Sequence, residues 1–132
     1  MINGEWENDP KVVEWLDLIN TERTVTNYKR EFPYFLEFVQ STTEYKTPSQ
    51  IIESRIEHLR SRDMNVRRYW EDIGIKYMHH LEDKEYRKNT IATYLRTMLS
   101  FFSKNHVQLQ YSRNELIGAI RPKGKGKRQS II

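Results

Sequence analysis

Between Asn89 and Lys104 the chain reads NTIATYLRTMLSFFSK. At about 100° per residue, Ile91, Leu95, Met98 and Phe102 fall within about 60° of one another, which predicts a helix with one narrow apolar stripe that must be buried. The opposite side carries Asn89, Thr93, Arg96, Ser100 and Lys104, with no acid among them. A chain built around such a helix needs other helices to cover the stripe, and the outer side is free to meet phosphate.

Those other helices are legible upstream. Asp9 is placed to cap a first helix with Pro10 at its first position, and Val12, Val13, Leu16 and Ile19 follow at three- and four-residue steps to about Asn20. Trp6 and Trp15 are expected to clamp it to the body. Thr24 is read as opening a second helix, TVTNYKREFPYFLEFVQ, with Tyr28, Phe32, Phe35 and Val39 inward and Thr26, Arg30 and Glu37 outward. The stripe stays in phase across Pro33, so a kink is expected there rather than a break. After a polar connector, Thr47 and Pro48 start a third helix with Ile51, Ile52, Ile56 and Leu59 inward.

A fourth helix is expected from about Val66 to Asp83, on Val66, Trp70, Ile73, Tyr77 and Leu81. Gly74 shares that side and costs about 1 kcal/mol relative to alanine; it either permits a close helix approach, the favoured reading, or marks a break. A charged turn, Asp83 to Lys88, leads into the helix first described. Val107 to Tyr111 alternates like a strand but is too short for a sheet, and Ser112 is placed to cap a last short helix, RNELIGAI.

These elements predict an all-α protein. It is a single compact bundle of about four to five helices over residues 1–120, followed by a flexible basic tail over 121–132. A length of 132 residues suits one domain, and although hydrophobic residues are only 37%, the 12% that are aromatic supply large buried areas. No run approaches the length of a membrane span, the N-terminus lacks the apolar segment of a signal peptide, and the absence of cysteine excludes a disulfide framework. The chain is accordingly expected to be cytoplasmic. Its net charge of +4 is uneven: residues 121–132 hold five cations and no acid, leaving 17 cations against 18 acids before them.

Catalytic signatures are sparse. His58, His79, His80 and His106 include no i, i+4 pair with an intervening acid, no glycine loop could cradle phosphate, and the acidic pairs Glu71-Asp72 and Glu82-Asp83 read as solvated faces. No cofactor or metal is expected. The polar faces are better candidates for binding. Thr24, Thr26, Lys29 and Arg30, and Lys88 to Thr93 with Arg96, lie at helix starts that suit a DNA backbone, and Asn89 and Arg96 suit base edges. The plain alternative is that these are solvated faces, with Thr24 and Thr90 serving only as caps.

The succession of helices resembles the N-terminal core-binding domain of the tyrosine recombinase, or phage integrase, family, a SAM-like helical bundle. One family pattern, T-x-x-x-Y-x-x-x-L-x-x-F, is matched by Thr24, Tyr28, Phe32 and Phe35; another, T-I-x-x-x-L-x-x-L-x-x-F-F, by Thr90, Ile91, Leu95, Met98, Phe101 and Phe102. Pro33, and Phe32 in place of leucine, depart from the first pattern.

The resemblance implies a domain that clamps duplex DNA while a separate C-terminal catalytic domain cuts and rejoins it, and leaves protomer-protomer contacts on the DNA an open partner alternative. It carries DNA contact to Thr24, Thr26, Asn27, Lys29 and Arg30, to Lys88, Asn89, Thr90, Thr93 and Arg96, and to Lys123, Lys125, Lys127 and Arg128 of the linker. The family's catalytic His-x-x-Arg is not found, because the third residues after the four histidines are Ser61, Glu82, Asp83 and Leu109. This chain is therefore expected to be no enzyme by itself, and Ile131-Ile132 is expected to be the threshold of the missing domain. A helical protein-interaction module and a helix-turn-helix regulator are the alternatives.

Overall fold

Proline has no N–H to leave unpaired, so it is well placed where a helix begins. In the computed structural model, which describes residues 4–112 and 114–116, both expected proline starts are formed. Asp9 caps α1 (Pro10–Asp17) by accepting the Lys11 N–H at 2.8 Å, and Thr47 caps α3 (Pro48–Leu59) in a reciprocal capping box with Gln50. The same Asp9 carboxylate accepts from the Ser49 N–H at 3.0 Å and the Ser49 hydroxyl at 2.6 Å. One side chain thereby ties the starts of α1 and α3 together.

The longest helix, α2 (Glu22–Thr42), is capped by Thr21, three residues before the expected opening at Thr24, and runs through Pro33 without a break. The single long helix expected over 66–83 is two pieces, one turn of α4 (Met64–Arg67) and then α5 (Tyr69–Asp83), parted at Arg68. Next comes α6 (Lys88–Lys104), which has Arg87 at its cap position, so it too opens ahead of Thr90. A 3-10 turn, Gly4–Asn8, precedes α1 and buries Trp6. The fold is all-α, with six α-helices and no strand among the described residues. The helix expected after Ser112 falls largely outside the described residues; 114–116 within them form a bend.

Rings fill the core where the helices cross. Trp15 of α1, Phe32 of α2 and Phe101 of α6 form a triangle with centroids 4.8 to 5.4 Å apart, and Phe35, Tyr77, Phe102 and Trp70 carry the packing on to α5. Buried indoles need a partner for their N–H; Trp15 Nε1 donates to Ser100 Oγ at 2.9 Å and Trp70 Nε1 to Ser54 Oγ at 2.8 Å. All four stripe residues of α6 are buried. Gly74 marks a close approach, because a Cβ there would overlap the Tyr111 hydroxyl and meet Met98 at 3.1 Å.

Three residues expected inward are exposed: Val13, Ile56 and Val66. In the two-turn α1, Val12 and Trp15 fill the contact and Val13 lies about 100° away. Val66 belongs to the turn before the break at Arg68, so it is out of phase with α5. Ile56 is displaced by its neighbour Arg55, which occupies the inward position and is 1% exposed.

Burying a guanidinium is costly unless all its donors are used, and here all five are. Arg55 Nη1 donates to Glu71 Oε1 (2.8 Å) and the Arg67 carbonyl (3.2 Å), Nη2 to Glu71 Oε2 (2.9 Å) and the Gln108 carbonyl (2.9 Å), and Nε to the Val107 carbonyl (3.2 Å). Glu71 Oε2 also accepts the Gln110 N–H at 2.9 Å. The alternating stretch 107–111 is thus an extended strap whose backbone pairs with a side-chain ion pair instead of a neighbouring strand.

Candidate nucleic-acid interface

Side-chain pairing shows how α2 meets α6. Thr97 donates to Glu31 Oε1 at 2.6 Å and Tyr34 stacks on Tyr94 at 5.1 Å, and between these two contacts position numbers rise along one helix as they fall along the other. Phe32 on Phe101 and Phe35 on Phe102 run the other way, so the helices cross at this contact. Thr24 and Thr90 each precede that Glu31–Thr97 contact by seven residues, about two turns along their own helices.

On α2 the candidate residues divide. Asn27 Oδ1 accepts from Arg30 Nη2 at 3.1 Å, and the Arg30 guanidinium, 64% exposed, sits 3.6 Å from Glu31. This places Asn27 and Arg30 at the seam with α6. Lys29 lies 3.8 Å from Glu7 in the 3-10 turn, on the other flank. Thr26 is exposed. The Thr24 N–H donates to Thr21 Oγ1 at 3.3 Å, while the Thr24 hydroxyl accepts from the Thr21 hydroxyl at 2.8 Å. That helix start is closed by its own cap and carries Glu22 in its first turn.

The start of α6 is built differently. No side chain caps it, no acid lies in its first turn, and Arg87 and Lys88 stand at the positive end of the helix dipole, where cations are unfavourable without an anion nearby. Lys88, Asn89 and Arg96 are exposed, while Thr90 and Thr93 are half-buried. The Thr93 hydroxyl donates to the Asn89 carbonyl at 3.0 Å. Asn89, Thr93 and Arg96 share one edge by their helical spacing, and the Thr97–Glu31–Arg30 chain of contacts joins that edge to Asn27 and Arg30. Ser100, expected on the same face, is engaged with Trp15. Lys123, Lys125, Lys127 and Arg128 lie outside the described residues.

A second feature lies where α2, α5 and the turn before α6 meet. There a cleft of about 560 Å³ is bordered by Tyr34 and Tyr86, with Tyr77 beneath it. Burial, with Tyr94, Tyr86, Glu31 and Tyr34 around it, pushes the Tyr77 phenol far above its ordinary range, so it stays protonated. Burial likewise raises Tyr94. This tyrosine cluster and the buried Glu31 went unnoticed in the sequence, although the three-residue step from Glu31 to Tyr34 already points both toward one neighbour.

Among the described residues no group of three or more histidines and acids could hold a metal, and no helix is long and apolar enough to cross a membrane. Comparison with protein-family models, with curated proteins and with solved structures finds no match to this chain.

Proposed function

We propose that the chain binds double-stranded DNA through the outer face of α6 and the adjoining edge of α2. In this reading it is the core-binding half of a site-specific recombinase of the tyrosine recombinase family, and a separate C-terminal domain cuts and rejoins the strands. The observation that carries the reading is α6 itself: 17 residues without one acid, an inner stripe wholly buried, and an uncapped, cationic start. Asn89 and Arg96 supply side chains of the kind that read adenine and guanine edges, while the exposed cations Lys88 and Arg30 would meet phosphates. The basic residues Lys123, Lys125, Lys127 and Arg128 would follow the backbone.

A second reading, a helical protein-interaction module, draws on Met64, 66% exposed, with Ile56 and Val66 also exposed on α3 and α4. Fluorescence anisotropy separates the two. Full-length chain and a chain ending at Arg121 are titrated with labelled duplex at low salt. Duplex binding that survives loss of the tail supports the α6 face; binding that disappears with the tail favours the second reading.

A further inference from the structure

Tyr34 and Tyr86 border the cleft from α2 and from the turn before α6, and both rest on Tyr94 of α6, Tyr34 nearly parallel at 16° and Tyr86 inclined at 67°. Tyr34 keeps 45% of its surface exposed while stacking on Tyr94. Beneath them Tyr77 is 1% exposed, and its hydroxyl has no hydrogen-bond partner. Native interiors leave few such groups unpaired, and this one borders an open cleft. The rim adds acceptors: the Glu37 carboxylate, and the amide oxygen of Gln40, whose Nε2 is already used by the Lys46 carbonyl. Lys84 completes the rim with one cation.

We propose that this cleft binds a nucleobase. An exposed tyrosine takes a flat ring by stacking. Acceptors at the rim suit the amino and imino N–H groups on a base edge. The Tyr77 hydroxyl, buried without a partner, reaches a ligand only with a shift of the side chains over it. The lining sets one carboxylate, Glu37, against one ammonium, Lys84, with the His80 imidazole beside them, which disfavours a simple metal cation as ligand, and the volume accommodates a base with its sugar. The inference does not rest on groove binding by α6, since the residues it offers a ligand belong to α2, α5 and the 84–87 turn, and α6 contributes only the supporting ring of Tyr94.

The base would come either from a soluble nucleoside or from an unpaired position in DNA, and NMR of the full chain distinguishes them. Backbone amide spectra are recorded with each of four nucleosides at millimolar concentration, with a fully paired duplex, and with the same duplex carrying one unpaired base. Saturable shifts at Tyr34, Glu37, Gln40 and Lys84 with a nucleoside support the proposal and name the soluble source; the same shifts with the bulged duplex alone name the extruded base. Tyr34→Ala weakens binding about tenfold, and so does Glu37→Gln, an exposed position whose change leaves the core intact. Cleft shifts absent from every titration, or undiminished in both variants, overturn the proposal. Shifts of α6 amides with a duplex, with the cleft silent in every titration including the bulged duplex, reject the cleft while keeping groove binding.

Discussion

Arg55 and Glu71 meet through two parallel hydrogen bonds of 2.8 and 2.9 Å with both side chains buried, and together they hold the backbone of residues 107, 108 and 110. Removing Arg55 leaves the Glu71 charge buried and the carbonyls of Arg67, Val107 and Gln108 unpaired, while removing Glu71 leaves the Arg55 charge buried and the Gln110 N–H unpaired. Arg55→Met or Glu71→Leu alone is therefore expected to cost about 3–5 kcal/mol in urea unfolding. Arg55→Lys is expected to be nearly as harmful, because an ammonium has three donors and no planar fork. A loss under 1 kcal/mol in either single variant would mean that the strap is held by other contacts.

Gly74 tests packing against helix propensity. Alanine should stabilise a helix by about 1 kcal/mol, yet its Cβ would overlap the Tyr111 hydroxyl, which is fixed by donating to the Glu71 carbonyl at 2.8 Å. Gly74→Ala is expected to lower stability by about 1–3 kcal/mol. The loss should shrink in a Tyr111→Phe background, where the overlapping atom is gone. Equal losses in both backgrounds, read by thermal unfolding, would place the conflict at Met98 instead.

His58 gives the fold a pH dependence. Its ring packs 4.8 Å from Tyr69, Nδ1 is buried without a partner, and burial, aided by the Arg55 charge, holds the imidazole below its ordinary range. An unfolded histidine takes its proton near pH 6.5 and the folded one only at lower pH. Between those values the unfolded state binds more protons, so stability falls as pH drops through that window. The urea midpoint is expected to fall between pH 7.5 and 5.5, and to fall less in His58→Gln. Identical falls in the two proteins would assign the acid sensitivity elsewhere.

What the sequence revealed of the fold was what local chemistry dictates. Asp9-Pro10 and Thr47-Pro48 are helix starts in any surroundings, and the stripe of α6 needs a core whatever covers it. Thr21 and Thr24 are both capable caps three residues apart, and residue type alone does not choose between them. Arg55 was missed although it follows Ile51 by four residues, because what makes its burial tolerable lies 16 residues away in Glu71 and 52 away in the strap. Of the candidate interface, the exposure of Asn89 and Arg96 follows from helical spacing. The separation of Lys29 from Arg30 onto different flanks does not follow in full, since it also depends on where the 3-10 turn brings Glu7.

Groove binding by α6 and α2 is tested most directly by the salt dependence of duplex binding to the chain ending at Arg121, compared with its Arg30→Ala/Arg96→Ala variant at matched helicity. Each phosphate contact contributes about 0.9 to the slope of log affinity against log salt. The variant is expected to bind at least about tenfold more weakly, with a slope shallower by about 1 to 2. Unchanged affinity and slope in the variant would contradict DNA binding through this face.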